Sequence, residues 1–334
     1  MSYWGCPDEN AGPAMRRMIL VLAVLLAAPS AQAADPCGLP ADYDTLKVLM
    51  VGLQPLVDIR MDDAVATMVL DTGASETMVT EGFAARINAS AAQPLQARTF
   101  TGVGGGVTVK RGFIDTMRVG TATLRSVNLI VSPVTLGAPG QTRDGLFGLD
   151  LLSLFDLDID LERSRVKLFR GHLCPEATSP WPVAAFELKA RRAKQENLLG
   201  GEPLSANRTA QRPARLEVPL VVNGKILWAL IDTGATNSIM TPQAAATVGV
   251  LESALATDPV SQTRGASNRV VQIRVHRFDS LRIAGETFNN PQLLVGALPG
   301  GTDMLLGADY LRNHRVWLSY ATARVFVAKG KPAD

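Results

Sequence analysis

Met68-Val69-Leu70-Asp71-Thr72-Gly73-Ala74-Ser75 and Ala229-Leu230-Ile231-Asp232-Thr233-Gly234-Ala235-Thr236 are two copies of one pattern. In each, an apolar run ends at a carboxylate, and Thr-Gly-Ala and a hydroxyl residue follow. An apolar strand that stops at Asp, with Gly two residues on, sets a carboxylate on a loop where backbone or ligand can come close. A single Asp-Thr-Gly would read as an ordinary turn, because Asp and Gly are common turn residues. Its recurrence inside a longer repeat makes Asp71 and Asp232 candidate catalytic residues that act as a pair.

The repeat extends in both directions. Asp232 lies 161 residues beyond Asp71 (232 − 71), and the preceding hairpin aligns without a gap. Val57, Ile59 and Met61 fall on Val218, Leu220 and Val222, the alternation of a half-buried strand. Asp62-Asp63 falls on Asn223-Gly224, a two-residue hairpin turn with the stronger signal in the second copy. Downstream, Asp115 to Val119 matches Asp279 to Ile283 at an offset of 164 (279 − 115). Asp144-Gly145-Leu146-Phe147-Gly148 matches Asp303-Met304-Leu305-Leu306-Gly307 at 159 (303 − 144), so the first copy has a longer loop between Pro133 and Arg143. Short runs with turn signals and little helical periodicity predict two duplicated all-β domains with short helices, residues 34–170 and 214–330. Each is expected to close on a strand, Arg165 to Phe169 and Arg324 to Val327. Repetition at this scale is domain duplication; solenoid repeats are far shorter.

Residues 171–213 read as a linker, with five prolines and a basic run at Lys189, Arg191, Arg192 and Lys194. Within it, residues 183–199 are expected to form one exposed helix with a solvated basic face. A chain of 334 residues holds two domains of ordinary size, and a net charge of +2 gives no reason to invoke a nucleic acid partner. His172, His276 and His314 show no metal-ligand spacing, so neither a metal nor another cofactor is expected.

Met15-Arg16-Arg17, the apolar run Met18 to Ala28 and Ala31-Gln32-Ala33 have the three parts of a secretory leader. Residues 1–33 are therefore expected to be removed, with translation starting at Met15 and a mature protein that is periplasmic or extracellular. The apolar run is shorter than the roughly 20 residues of a membrane span, so no stable membrane insertion is expected; an uncleaved anchor is the alternative. Cys37 and Cys174 then remain as an even pair in an exported protein, read as a disulfide, with two free thiols as the alternative.

Taken together, apolar-apolar-Asp-Thr-Gly-Ala, a glycine-rich hairpin and a later apolar-apolar-Gly segment (Leu146-Phe147-Gly148 and Leu305-Leu306-Gly307) resemble the pepsin and retropepsin type of aspartic peptidase, in its bacterial retropepsin-like form. The resemblance covers both repeats and leaves out the linker. It implies two acid-protease β-barrel domains related by a pseudo-two-fold axis, forming one cleft in a monomer. It further implies a peptide or protein substrate, hydrolysed by a water that Asp71 and Asp232 activate while sharing one proton. Thr72 and Thr233 would bind the two loops together across the axis, and Gly73 and Gly234 would let the loops and the water approach. The apolar-apolar-Gly segments would pack beneath the active loops.

A flap over the substrate is expected from Gly102, Gly104, Gly105 and Gly106 in the first half and around Gly265 in the second. No Gly-Lys-Ser/Thr follows the first glycine cluster, which separates it from a phosphate-binding loop. Two departures matter. Ala74 and Ala235 stand where pepsin-like enzymes carry a hydroxyl that supports the carboxylate, which should raise the pair's pKa values. Neither flap has a tyrosine. The competing readings are a catalytically silent peptide-binding protein of the same fold, and two halves that dimerise separately.

Overall fold

The hairpin carrying each Asp-Thr-Gly-Ala sets the frame of its half. The computed structural model describes residues 43–91, 98–137, 143–170, 181, 185–193, 215–265, 267 and 269–329, all within one unit spanning 37–334. Gln54–Met61 returns through Asp62-Asp63 into Ala64–Leu70, and Leu216–Val222 returns through Asn223-Gly224 into Lys225–Ile231. Val57, Ile59 and Met61 are buried, as are Val218, Leu220 and Val222, so the alternation seats both hairpins on the core by one face. Asp62 and Asn223 share a left-handed φ of 47°, which short Asx side chains tolerate. Each side chain also anchors its turn: Asp62 Oδ1 accepts from the Thr116 N–H (2.7 Å), and Asn223 Oδ1 from the N–H groups of Asp279 (2.9 Å) and Ser280 (3.2 Å).

Each Asp-bearing strand then enters a crossed arrangement. Ala64–Leu70 runs parallel to Gly145–Phe147, which runs antiparallel to Met78–Thr80, itself parallel to Ala122–Ser132. In the second half Lys225–Ile231, Met304–Leu306, Ile239–Met240 and Gln292–Val295 repeat those pairings. This traps each active loop between two strands. Short helices follow at equivalent places, Glu81–Arg86 and Pro242–Thr247, capped by the hydroxyls of Thr80 and Thr241.

The closing element of each half is a hairpin rather than the single strand expected from sequence: Phe155–Asp160 with Arg165–Arg170, and His314–Ser319 with Arg324–Lys329. The two hairpins join antiparallel through Leu157↔Leu318, Asp158↔Trp317 and Ile159↔Val316. Asp158 and Trp317 are themselves equivalent (317 − 158 = 159), so the pseudo-two-fold axis passes through their pair. Arg315 of the second half grips Asp158 of the first with two hydrogen bonds of 2.8 and 2.6 Å, buried within this shared sheet.

The helix expected over 183–199 is not formed in its described part. Phe186–Leu188 adds to the edge of Arg324–Lys329, and Arg191–Arg192 pairs with Leu216–Val222. Two sheet edges with unpaired backbone groups outcompete local helix propensity. Nor is the basic run a free face: Arg191 bonds Glu217 (2.8 Å) and lies over the Trp228 ring, and Arg192 donates to the carbonyl of Tyr320 (2.8 Å). Cys37, Cys174 and the leader-like residues 15–33 lie outside the described residues. Among the described residues no helix is long and apolar enough to cross a membrane, and no His/Cys/Asp/Glu group is arranged to hold a metal.

Candidate active site

Asp71 and Asp232 each follow directly on a buried strand, at Leu70 and Ile231, and the shared sheet brings their loops together. The threonines cross between halves. The Thr72 hydroxyl donates to the Ile231 carbonyl (2.8 Å) and the Thr233 hydroxyl to the Leu70 carbonyl (2.6 Å). Each hydroxyl also accepts from the other threonine's N–H, at 3.0 and 3.1 Å. Four buried hydrogen bonds thus fix one loop against the other, and neither threonine can do this alone.

Each carboxylate is oriented by its own loop. Asp71 Oδ1 accepts from the N–H groups of Gly73 (3.0 Å) and Ala74 (2.7 Å), and Asp232 Oδ1 from those of Gly234 (2.9 Å) and Ala235 (3.1 Å). Gly73 faces the Asp232 carboxylate and Gly234 faces that of Asp71, so close that a Cβ on either would overlap the opposing group. Glycine is needed here for approach. Beneath the loops, the Thr77 hydroxyl donates to Asp150 (2.6 Å) and accepts from the Gly148 N–H (3.1 Å); Ser238, Asp309 and Gly307 repeat this at 2.7 and 3.0 Å. The apolar-apolar-Gly segments pack where the resemblance implies: the N–H groups of Leu149 and Ala308 donate to the carbonyls of Ala74 and Ala235, both at 2.8 Å.

The two carboxylates are largely buried, with part of each open to the cleft. Burial first, then the charge of Asp232, lifts the Asp71 carboxyl well above the usual carboxylate range. Burial raises Asp232 too, opposed by the N–H groups of Ala235 and Gly234, the hydrogen bond with Asp71 and the positive charge of Arg215. The pair therefore retains one proton at pH values where isolated carboxyls have lost theirs.

The flaps meet over the cleft. Arg98–Gly102 and Gly105–Val119 form the first, and Val260–Arg264 and Val270–Arg277 the second. At the tips the Ser267 hydroxyl donates to the Val103 carbonyl (3.2 Å), and a Cβ on Gly104 or Gly265 would overlap Ser267 or Val103 respectively. Gly102 and Gly265 line the cleft, whereas Gly104, Gly105 and Gly106 form the tip and do not line it. The cleft holds a cavity of about 170 Å³ lined by both Asp71 and Asp232.

Three contributors escape the motif. Gln54 and Arg215 line the cleft from the starts of the two hairpins that carry the aspartates, where the apolar alternation has not yet begun; only their 161-residue spacing (215 − 54) marks them. Tyr320 is buried near Asp71 and Asp156, and burial and both charges oppose its ionisation. No pattern marked it, since it lies in the turn of the second closing hairpin, between His314–Ser319 and Arg324–Lys329.

Asp156 sits in the shared sheet beside Ser319, with Oδ2 buried and without a hydrogen-bond partner among the described residues. Burial pushes its carboxyl up to about 7 against the Ser319 hydrogen bond, from an unfolded value near 3.8. A folded pKa above the unfolded one gives stability that is complete below about pH 4 and is lost as pH rises toward 7. Asp156→Asn should therefore flatten the fall in melting temperature between pH 4 and 8, relieving on the order of 2–4 kcal/mol at the alkaline end. Parallel melting curves for the two proteins across that range would refute this.

Both halves match the family model described as Aspartyl protease, over residues 57–151 and 218–310. Matched twice and over more than half its length, the chain belongs to the aspartyl protease family, with the duplicated acid-protease fold that its repeat implies. A search of curated proteins found no match.

Proposed function

We propose that the chain is an exported, monomeric aspartic endopeptidase in which Asp71 and Asp232 form one catalytic dyad. The observation that carries this reading is the crossing of the two Asp-Thr-Gly-Ala loops, which sets two like carboxylates face to face with Gly73 and Gly234 between them. The dyad holds one proton. Its ionised member takes a proton from a bound water as the water oxygen attacks the scissile carbonyl carbon, and its protonated member gives its proton to the carbonyl oxygen. The tetrahedral diol then collapses, the C–N bond breaks, the amine nitrogen takes up a proton, and an acid and an amine leave. No acyl-enzyme forms. The paired flaps support a cleft that closes over an extended peptide and excludes bulk water. The leader-like residues 15–33 support export.

Cleavage of a mixed peptide library from pH 3 to 8 tests the reading. Activity needs one proton on the pair, so it falls at low pH when both carboxyls are protonated and at high pH when neither is. With Asp71 raised by burial and by Asp232, and with Ala74 and Ala235 offering no hydroxyl, the peak is expected at mildly acidic to near-neutral pH. A profile peaking below about pH 3 contradicts the assignment of the pair; a folded protein that cuts nothing contradicts the enzyme.

A further inference from the structure

The two-fold cleft is chemically lopsided. An extended peptide bound across a pseudo-two-fold axis places residues equally far from the cut, on its two sides, in equivalent subsites. Gln54 and Arg215 occupy one such equivalent pair, and both line the cleft. At the flaps, the last cross-strand pair of the first hairpin is Gly102↔Gly105 and that of the second is Arg264↔Val270, so Gly102 and Arg264 are counterparts, and both line the cleft too. At both positions the first half offers a neutral group and the second a guanidinium. The first half instead adds Phe100, which packs with Leu136 and Leu146 in an apolar cluster beneath its flap.

Arg215 is half-buried in the wall of the cleft, and its charge reaches Asp232. A half-buried guanidinium facing a cleft that binds backbone and side chains is suited to a carboxylate, which it can hold with two parallel hydrogen bonds.

Resting on the peptidase reading, we infer that the substrates carry an acidic side chain on one side of the cut, held by Arg215, and a neutral or apolar one at the mirror position, beside Gln54. Arg215 acts here on specificity. Because a peptide carboxyl ionises near pH 4, the preference should be present at pH 6 and fade at pH 3.5.

The test uses peptides with an apolar pair at the centre and a single Glu or Gln scanned along both flanks. At one position on one side only, Glu should be cut about tenfold more efficiently than Gln, the size of one charge-assisted contact in a partly exposed site. Arg215→Gln should bring that Glu-to-Gln ratio close to one, and Gln54→Arg should create a matching preference at the mirror position. The same peptides titrated calorimetrically against Asp71→Asn separate this inference from the peptidase reading. A Glu preference in binding that Arg215→Gln removes upholds it even where turnover is absent. Equal binding and cutting of Glu and Gln peptides at every position, or a preference untouched by Arg215→Gln, overturns it.

Discussion

Asp71→Asn is expected to lower kcat/KM for peptide cleavage by about 10⁴-fold, with Asp232→Asn doing the same and the double variant no worse than either alone. The non-additivity follows from the shared proton. A dyad that must be half-ionised loses its chemistry when either member can no longer ionise, so the second substitution has nothing left to remove. The fold should persist. An asparagine carbonyl can still accept from the N–H groups of Gly73 and Ala74, or of Gly234 and Ala235, that the carboxylate now engages. Melting temperatures should hold or rise, because each variant removes a carboxyl whose ionisation is opposed by burial. If one variant kept more than about a tenth of the wild-type rate, its carboxylate would not be part of the reacting pair.

Gly73→Ala and Gly234→Ala should be nearly as damaging although neither touches an ionisable group. A Cβ at Gly73 would lie 2.5 Å from Asp232 Oδ2, and one at Gly234 would lie 2.5 Å from Asp71 Oδ2. Real contacts need close to an ångström more, so the carboxylates must turn or the loops must part. The crossed threonine bonds resist parting. The expected outcome is a loss of about 10²- to 10³-fold in kcat from misplacement of the pair, with destabilisation of about 1–3 kcal/mol from overpacking. Neither glycine has a positive φ, so the effect is steric and tracks the added methyl rather than backbone freedom. Kinetics and calorimetry on the two alanine variants check both parts, and a wild-type kcat in either would show that the carboxylates are less closely apposed than described.

The sequence made some of this legible and hid the rest for identifiable reasons. Asp71 and Asp232 could be found because a duplicated strand, turn and carboxylate leave a repeat in the linear chain, and because Val57, Ile59 and Met61 keep strand alternation beside their counterparts. The apolar-apolar-Gly segments were equally visible, being local. The linker helix failed because local pattern carries no information about a distant sheet edge: Phe186, Glu187 and Leu188 become a strand only because Arg324–Lys329 is there to pair with. The merging of the closing hairpins escaped for the same reason, as it depends on Leu157 meeting Leu318. Tyr320 lies near Asp71 only once the chain is folded, which no local pattern reveals, and Arg215 could be found only through its 161-residue offset from Gln54.

The measurement that bears most directly on a single site built from both halves of one chain is complementation between the two inactive variants. Asp71→Asn and Asp232→Asn are mixed over a wide concentration range and assayed on a peptide that the wild type cuts. With both aspartates acting inside one chain, the mixture stays as inactive as its components, and the specific activity of the wild type does not change on dilution. Recovery of activity on mixing, rising with concentration, would mean that intact pairs assemble between chains, and the single-chain site would be wrong.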